Sequence, residues 1–378
     1  MGEENGRSSP GEIAGLFLRL GLTAFGGPAA HLGLMEREAV ARRRWMNRES
    51  FLDLVGACNL LPGPSSTQVA MALGYTRLGW LGLAAAGVCF IAPAAVATLG
   101  LAWAYVQYGN LPQVQGLLYG AKPAMVALIA QAVWKLGRTA LKNAWLAAAG
   151  AGCFAAALLG AAPLALLLVC GGVTLALAWG RRRANAAMGL ALLPMSVGGG
   201  AGSAVGLLQL FLVFLKLGVV VFGSGYVLLV FLQRDLVDRL HWVTQGQLLD
   251  AITAGQVTPG PLFATATFLG YLIGGWSGAG AATAAMFLPS FVLAGVAAML
   301  AGRIRRSVLA GAFLDGVNVA AVALMASVAL TLGRAALVDS WTWGVVLVSV
   351  GLVIGTKVNP AWLILGGAVV GMLAHGLR

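Results

Sequence analysis

Two Pro-Gly-Pro triplets, Pro62-Gly63-Pro64 and Pro259-Gly260-Pro261, interrupt long runs of residues that carry no charge. Proline lacks a backbone N–H and clashes with the preceding helical turn, and glycine favours non-helical backbone, so each triplet should end one helix and let another begin. Backbone N–H groups without helical partners are then free to bind a ligand. Hydroxyl and amide side chains that could also donate hydrogen bonds flank the triplets: Asn59, Ser65, Ser66, Thr67, Gln68, Gln256 and Thr258.

The helix restart at Ser65-Ser66-Thr67 favours an anion, because free N–H groups and the positive end of the helix dipole meet there. Two glycine-rich stretches, Phe25-Gly26-Gly27-Pro28 and Phe222-Gly223-Ser224-Gly225, offer a second pair of breaks at which the backbone could approach a ligand. Together these features predict a site for a tetrahedral oxyanion. The competing interpretations are local capping of the broken helices by the hydroxyls and close helix packing by the glycines.

Two cations, Arg19 and Lys216, lie inside apolar segments. A cation at mid-membrane costs roughly 2.5 to 3.5 kcal/mol or more unless it has a function or reaches the interface. Because each one precedes a glycine-rich stretch, we expect them to attract the anion, with snorkelling to the interface as the alternative. His31 follows the first stretch and is a weaker candidate, because a lone polar residue at a helix end is more often a structural hydrogen-bonding group.

Asp53 and Asp250 each precede a triplet by nine residues (62 − 53 and 259 − 250). They could carry protons or cap their segments at the interface, and capping is the favoured interpretation. The chain offers no carboxylate cluster inside an apolar span, only 3 histidines, and 4 scattered cysteines. We therefore expect no metal site, no cofactor and no enzymatic activity.

The composition is that of a polytopic membrane protein. The chain has 378 residues, is 60% hydrophobic and only 10% charged, and has a mean hydropathy of +0.88. Its charge-free runs are long enough to cross a bilayer, which takes about 20 residues, so lipid is the expected surrounding. The net charge of +12 falls in short loops, as the positive-inside rule requires, and does not indicate nucleic-acid binding.

The chain contains a tandem repeat. Phe17-Leu-Arg19-Leu-Gly21 matches Phe214-Leu-Lys216-Leu-Gly218 at an offset of 197 residues (214 − 17), which also relates the two triplets. After one deletion the offset becomes 196, as between Pro93 and Pro289. We expect a disordered tail (1–10), a first membrane repeat (11–183), a linker (184–206) and a second membrane repeat (207–378).

The loop charges predict an all-α fold in which the two repeats are inverted. Basic loops in the first half, such as Arg42-Arg43-Arg44, have counterparts in the second half in which acidic and basic residues cancel. Conversely, the uncharged region Tyr105 to Ala121 has a counterpart that contains Arg303, Arg305 and Arg306. Opposite orientations need an odd number of crossings per half. With each triplet segment as a re-entrant hairpin, we expect about ten transmembrane helices, broken at the glycine-rich and Pro-Gly-Pro motifs, and both termini outside the cytoplasm.

Motifs in both halves carry a family resemblance: Phe25-Gly26-Gly27-Pro28-Ala-Ala-His31, Trp45, Leu61-Pro62-Gly63-Pro64 with Gln68, Phe222-Gly223-Ser224-Gly225-Tyr226 and Thr258-Pro259-Gly260-Pro261. The chain resembles the chromate ion transporter family in its long form of two fused halves. The resemblance implies a multi-pass protein of the bacterial inner membrane that exports chromate and confers chromate resistance. Chromate is a tetrahedral dianion similar to sulfate, so sulfate is the natural competitor.

The alternative function is import or exchange of sulfate or another oxyanion, which the direction of transport in cells would distinguish. Outward movement of a dianion is favoured by an interior-negative potential, at roughly 2.3 kcal/mol per charge per 100 mV, so coupling to protons or to sulfate stays open. Glycine-rich helix faces suit packing between protomers as well as within one, so a homodimer is compatible with the sequence.

Overall fold

The computed structural model describes residues 9–25, 27–180, 206–221, 225–304, 308–356 and 358–376. Every regular element in these ranges is helical, which confirms the all-α prediction for them. The helices are α1 (Pro10–Thr23), α2 (Pro28–Glu36), α3 (Arg48–Asn59), α4 (Ser65–Tyr108), α5 (Pro112–Ala140), α6 (Ala144–Leu158), α7 (Pro163–Gly180), α8 (Leu207–Val220), α9 (Val227–Leu232), α10 (Gln245–Val257), α11 (Thr265–Ile304), α12 (Val308–Ala336), α13 (Ser340–Gly355) and α14 (Pro360–Gly376).

Short irregular helices join some of these elements. A π-helical segment follows α2 (Arg37–Arg42), a second follows α9 (Gln233–Arg239), and a 3-10 turn (Leu262–Ala264) leads into α11. The N-terminal boundary differs slightly from the expected one, because Ser9 caps α1 by accepting a hydrogen bond from the Glu12 N–H and the helix begins at Pro10. The rest of the expected tail, residues 1–8, and nearly all of the expected linker lie outside the described residues.

α4 is a tight helical hairpin that reverses at Leu78 and Gly79, where the backbone is not helical. A Cβ on Gly74 would lie only 2.2 Å from the carbonyl oxygen of Gly82. Eight residues of straight helix would separate these positions by about 12 Å, so the two arms must run back against each other. α11 makes the same reversal at Gly274 and Gly275.

The lengths and surfaces of the helices indicate a multi-pass membrane protein. Four helical stretches, Ser65–Tyr108, Pro112–Ala140, Leu262–Met299 and Gly311–Ala336, are long and apolar enough to cross a bilayer, and five shorter apolar helices accompany them. Large apolar side chains point outward, among them Val96 (68% exposed) and Ile354 (77%). Exposed apolar surface on this scale suits a lipid environment.

The later helices of each half pack against helices of the other half, an arrangement called helix exchange below. α5 packs against α13 and α14 of the second half, and α12 packs against α6 and α7 of the first. Glycines permit both contacts: a Cβ on Gly120 of α5 would lie 2.0 Å from the Gly367 oxygen of α14, and one on Gly316 of α12 would lie 2.3 Å from the Cys170 oxygen of α7. Gly120 and Gly316 are equivalent (316 − 120 = 196), so the two halves contribute alike to one interlocked body.

Candidate functional site

The two Pro-Gly-Pro triplets each form a hydrogen bond to the opposite half of the chain. The Gly63 N–H donates to the Val221 carbonyl at 2.6 Å, and the Gly260 N–H donates to the Ala24 carbonyl at 2.9 Å. These bonds are equivalent, because 260 − 63 and 221 − 24 both equal 197. Since α1 ends at Thr23 and α8 at Val220, each triplet meets the broken first helix of the other half. The predicted breaks are confirmed, and the fold brings them together.

Gly63 cannot be another residue without strain. Its φ of +113° disfavours side chains, and a Cβ there would lie 2.6 Å from Gln68 Nε2 and 2.8 Å from Ser290 Oγ. The Gln68 amide nitrogen donates to the Pro62 carbonyl at 2.5 Å. Ser290 lies on α11, so a side chain of the second half lies next to the Pro62-Gly63-Pro64 break of the first half.

His31 links the first glycine-rich stretch to the restarted helix. Its side chain is buried, with Nε2 3.1 Å from the Ala24 carbonyl and Nδ1 3.3 Å from Ser66 Oγ. A carbonyl can only accept, so Nε2 carries the hydrogen and Nδ1 is left for the Ser66 hydroxyl. The Ala24 carbonyl also accepts the Gly260 N–H, so His31, Ser66 and the second triplet are joined through one backbone group.

The break at Pro62-Gly63-Pro64, called the first break below, and the break at Pro259-Gly260-Pro261, called the second break, differ in polarity. Polar residues at the first break have mostly apolar counterparts at the second: His31, Ser65, Ser66, Thr67, Gln68 and Ser290 correspond to Leu228, Leu262, Phe263, Ala264, Thr265 and Ala94. At the second break the hydroxyls are satisfied locally, since Thr265 donates to the Leu262 carbonyl at 2.7 Å and Thr258 to the Gly255 carbonyl at 3.3 Å.

Three buried polar atoms at the first break have no hydrogen-bond partner: Thr67 Oγ1, Gln68 Oε1 and Ser290 Oγ. All three residues are 0% exposed. Leaving a buried donor or acceptor unpaired costs about 1–3 kcal/mol, so such atoms indicate a ligand or a bound water. The first break is therefore the better candidate for a binding site.

The other predicted site residues are placed more variably. Ser65 is the buried first residue of α4, Gly27 caps α2 with a φ of +80°, and Gly225 comes just before α9. Gln256 is half-buried and hydrogen-bonds to the Tyr226 side chain, whereas Asn59 is exposed at the end of α3. Gly26, Gly223 and Ser224 lie outside the described residues.

Both cations that lie in apolar segments, Arg19 and Lys216, have carboxylate partners. Arg19 Nη2 lies 2.7 Å from Glu38 Oε1, and Lys216 Nζ lies 2.7 Å from Asp235 Oδ2. Glu38 and Asp235 are equivalent (235 − 38 = 197) and sit in the two π-helical segments. Each cation is thus held in an ion pair, and a direct role in attracting the anion stays a prediction.

Two further arginines, Arg42 and Arg43, contact the Glu38 carboxylate. Burial alone would raise the pKa of Glu38, but a hydrogen bond from Arg42 and the charges of Arg19 and Arg42 hold that pKa below its usual 4.5. Arg43 adds a contact to the same carboxylate at 3.5 Å. The first π-helical segment is therefore stabilised by an ionised glutamate.

The capping interpretation of Asp53 and Asp250 is wrong, because Asn47 caps α3 and Thr244 caps α10. Asp250 is buried and is met by two residues of the first half: Lys122 Nζ lies 3.2 Å from Oδ1, and the Tyr105 hydroxyl donates to Oδ2 at 3.0 Å. Proton coupling through either aspartate stays a prediction.

Several residues at these contacts were not identified from the sequence. Ser290 follows Pro289, and the equivalent residues of the first half are Pro93 and Ala94. A serine at a position where the other repeat has an alanine could have indicated a polar role for Ser290. The equivalence of Glu38 and Asp235 at the 197-residue offset was a second signal. Lys122 gave none, because its equivalent is Asn318.

Homologous halves whose helix breaks meet at their junction define a membrane protein of the transporter class. The chain belongs to the chromate transporter family: the family model described as "Chromate transporter" matches residues 11–176 and 208–372. The sequence resemblance is thereby confirmed.

Curated relatives match along nearly the whole chain. A probable chromate transport protein of Synechococcus elongatus is 31% identical over 96% of this chain and 95% of its own. A chromate transport protein of Cupriavidus metallidurans is 32% identical over 96% and 92%, and one of Pseudomonas aeruginosa is 32% identical over 94% and 90%. No solved structure matches the chain.

Proposed function

We propose that this protein exports chromate from the cytoplasm across the bacterial inner membrane and that the oxyanion binds at the first helix break. The observation that carries the proposal is the group of unpartnered buried atoms there, Thr67 Oγ1, Gln68 Oε1 and Ser290 Oγ. Membership of the chromate transporter family and the names of the relatives support chromate as the cargo. Removal of chromate from the cytoplasm would confer resistance.

The chemistry of the first break suits a tetrahedral oxyanion. Hydroxyl groups of Thr67 and Ser290 can donate hydrogen bonds to oxyanion oxygens, and the α4 helix begins here with its positive dipole end. The Gly63 backbone lies close to two of these three side chains, Gln68 and Ser290. A ligand bound between them would contact both halves at once.

The architecture we propose is an inverted repeat of about ten crossings, which would let the halves move against each other around a central site. The reciprocal bonds from Gly63 to Val221 and from Gly260 to Ala24 support a twofold relation between the halves. Both termini would then lie outside the cytoplasm. A reporter fused to Arg378 that is active only in the cytoplasm would contradict this topology.

Uptake of radiolabelled chromate into inverted membrane vesicles under an imposed potential tests the proposal. Wild-type vesicles should accumulate chromate, and Ser290→Ala should accumulate far less. Ser277→Ala is the matched control, because Ser277 is exposed on the same helix and its hydroxyl donates to the Gly274 carbonyl of that helix. No accumulation in vesicles that are otherwise active would contradict chromate export, and equal loss in both variants would contradict this site.

The alternative function, import or exchange of sulfate or another oxyanion, predicts the opposite movement in cells. Intact cells that express the protein would then accumulate the labelled anion rather than lose it. Addition of excess sulfate to the vesicle assay measures how far the two anions share the site.

A further inference from the structure

We propose that a cavity between the two halves binds the headgroup of a membrane lipid that carries a primary ammonium and a phosphodiester, as phosphatidylethanolamine does. The cavity, called the headgroup cavity below, has a volume of about 240 Å³. Its walls are the α6–α7 connection of the first half and, from the second half, α9, the π-helical segment after it and α12. No residue of the first break lines it, so the proposal goes beyond the proposed function. Pockets for drug-sized ligands have roughly 300–1,000 Å³, so this volume suits a small headgroup.

Gln233 gives the headgroup cavity a buried acceptor. The Gln233 amide nitrogen donates to Asp238 Oδ1 at 2.9 Å, and a carboxylate oxygen accepts, so the orientation of the amide is fixed. Gln233 is only 5% exposed, and its Oε1 is buried with no hydrogen-bond partner in the described part of the chain. A buried acceptor without a partner is destabilising, so this oxygen calls for a ligand or a water that brings a hydrogen.

The hydroxyls of α12 that line the cavity are also left as acceptors. Ser327 Oγ donates to the Leu324 carbonyl at 2.8 Å, and Thr331 Oγ1 donates to the Ser327 carbonyl at 3.1 Å. A hydroxyl has one hydrogen, so both oxygens have only lone pairs to offer a ligand. Together with Gln233 Oε1 they form a wall of acceptors, which suits a primary ammonium with its three N–H donors.

Two arginines supply the opposite chemistry. Arg234 and Arg334 line the same cavity, and among the residues that the structure describes neither is in an ion pair. Guanidinium groups bind phosphate oxygens through paired, charge-assisted hydrogen bonds. A ligand with both a phosphate and an ammonium therefore matches the cavity. An anionic lipid would satisfy the arginines, but it would bring no N–H donor to Gln233 Oε1.

The position of the headgroup cavity favours a lipid over a free solute. Arg334 lies in the last turn of α12, at the end of a stretch long and apolar enough to cross a bilayer. Trp341 and Trp343 begin the next helix and are 49% and 53% exposed, and tryptophan is enriched where membrane meets water. Leu158 lines the cavity and is 56% exposed, so an acyl chain has an apolar surface to follow.

The first half has the arginines of this cavity but not its acceptors. Arg234 and Arg334 recur as Arg37 and Arg138 (234 − 37 = 197 and 334 − 138 = 196). The acceptor side chains change at the equivalent positions: Gln233, Asp238 and Thr331 correspond to Glu36, Ala41 and Lys135. The repeat therefore contains its own control, a pair of equivalent arginines without the wall of acceptors.

Thermal unfolding of the full, delipidated chain in detergent tests the proposal, with native mass spectrometry to count bound lipid. Phosphatidylethanolamine, its N-methylated derivatives, phosphatidylcholine and phosphatidylglycerol are titrated with identical acyl chains. Phosphatidylethanolamine should reach half-maximal stabilisation at a concentration at least about tenfold lower than phosphatidylcholine, whose quaternary ammonium has no N–H to donate. The mono- and dimethyl derivatives should fall between them in that order.

Three results with these lipids would overturn the proposal. They are no stabilisation by any lipid, equal stabilisation by all of them, and stronger stabilisation by phosphatidylglycerol, which would indicate a site for anionic lipid. Water-soluble glycerophosphoethanolamine carries the same headgroup without acyl chains. If it stabilised at the same concentration as the lipid, the ligand would be a solute and the proposed source would be wrong.

Variants separate the two ends of the headgroup. Arg334→Gln should weaken phosphatidylethanolamine and phosphatidylcholine alike, by at least about tenfold, because both lipids carry the phosphate. Gln233→Met should instead reduce the preference for phosphatidylethanolamine, and Thr331→Val does the same test at an exposed position if the buried variant does not fold. Arg138→Gln, the exposed equivalent in the first half, is the control and should bind as wild type does. Equal weakening by Arg138→Gln, or an unchanged lipid preference in Thr331→Val and in any folded Gln233→Met, would contradict the site.

Discussion

At the residue scale, the two triplet glycines are equivalent in backbone but differ in surroundings. Gly63 and Gly260 have φ values of +113° and +96°. A Cβ on Gly63 would meet Gln68 and Ser290, whereas one on Gly260 would meet the Cβ of Ala94 at 2.8 Å. Both positions therefore contribute to folding, and only the first borders the proposed anion site.

Substitution of these glycines by alanine should separate stability from transport. Positive φ costs an alanine about 1–2 kcal/mol, so both Gly63→Ala and Gly260→Ala should unfold at a lower temperature in detergent. Per folded molecule, Gly63→Ala should lose more chromate flux than Gly260→Ala, because its methyl group crowds the Gln68 amide. Equal flux per folded molecule in the two variants would show that Gly63 does not border the site.

The carboxylate of Glu38 gives a second test at this scale. Because the folded-state pKa of Glu38 lies below its usual value, its contribution to stability is present above that value and is lost as the pH falls through the folded-state pKa. Thermal unfolding of Glu38→Gln should show a destabilisation of about 2 kcal/mol at neutral pH. The same variant should show less further loss than wild type below pH 4.5.

Glu36→Gln is the control for this measurement. Glu36 pairs with Arg48 at 2.9 Å, but the arginine side chain is 75% exposed, and exposed pairs contribute about 0–1 kcal/mol. If the unfolding temperature of Glu38→Gln fell with decreasing pH as much as that of wild type, the role assigned to the buried carboxylate would be contradicted.

At the element scale, the sequence predicted the helix breaks but not the partners of each helix. The predicted stop at Pro62-Gly63-Pro64 separates α3 from α4, and the predicted stop at Pro259-Gly260-Pro261 separates α10 from α11. Local chemistry determines these boundaries. The contact of α5 with α14 depends instead on glycines more than 240 residues apart (367 − 120 = 247), and no local pattern relates them.

This helix contact should be sensitive to side-chain volume. Gly120→Leu would place its Cβ 2.0 Å from the Gly367 carbonyl, so α5 and α14 would have to separate. Overpacking costs about 1–3 kcal/mol or more where a backbone must move, and the yield of folded protein should fall accordingly. Gly100→Leu is the control, because Gly100 is exposed on α4 with nothing within 4 Å of its Cβ position. Comparable losses in the two variants would contradict the close packing.

At the scale of the whole molecule, exchange of helices makes each half incomplete without the other. α12 buries its surface against α6 and α7, which belong to the first half. The internal repeat in the sequence predicted two halves, but it could not show which helices each half contributes to the other. The same limit applied to the site, since Gln68 and His31 were identified from their motifs whereas Ser290 comes from the other half.

Separate expression of the halves tests this exchange. Residues 1–183 and 207–378 should each give little folded protein alone, because α5 and α12 would lack their partners. Expressed together, the two chains should co-purify from the membrane and recover much of the folded yield. A single half that is stable by itself, with normal thermal unfolding, would show that the exchanged contacts are not required.

The reciprocal bonds between triplets and opposite helices also bear on the history of the chain. An arrangement in which each half completes the other is what gene fusion leaves when two copies of an ancestor already worked as a symmetric pair. In such a pair both breaks had to be identical. After fusion the two breaks could diverge. The second half has Leu228, Phe263 and Thr265 at the positions equivalent to His31, Ser66 and Gln68, as expected if one of two original binding sites was lost.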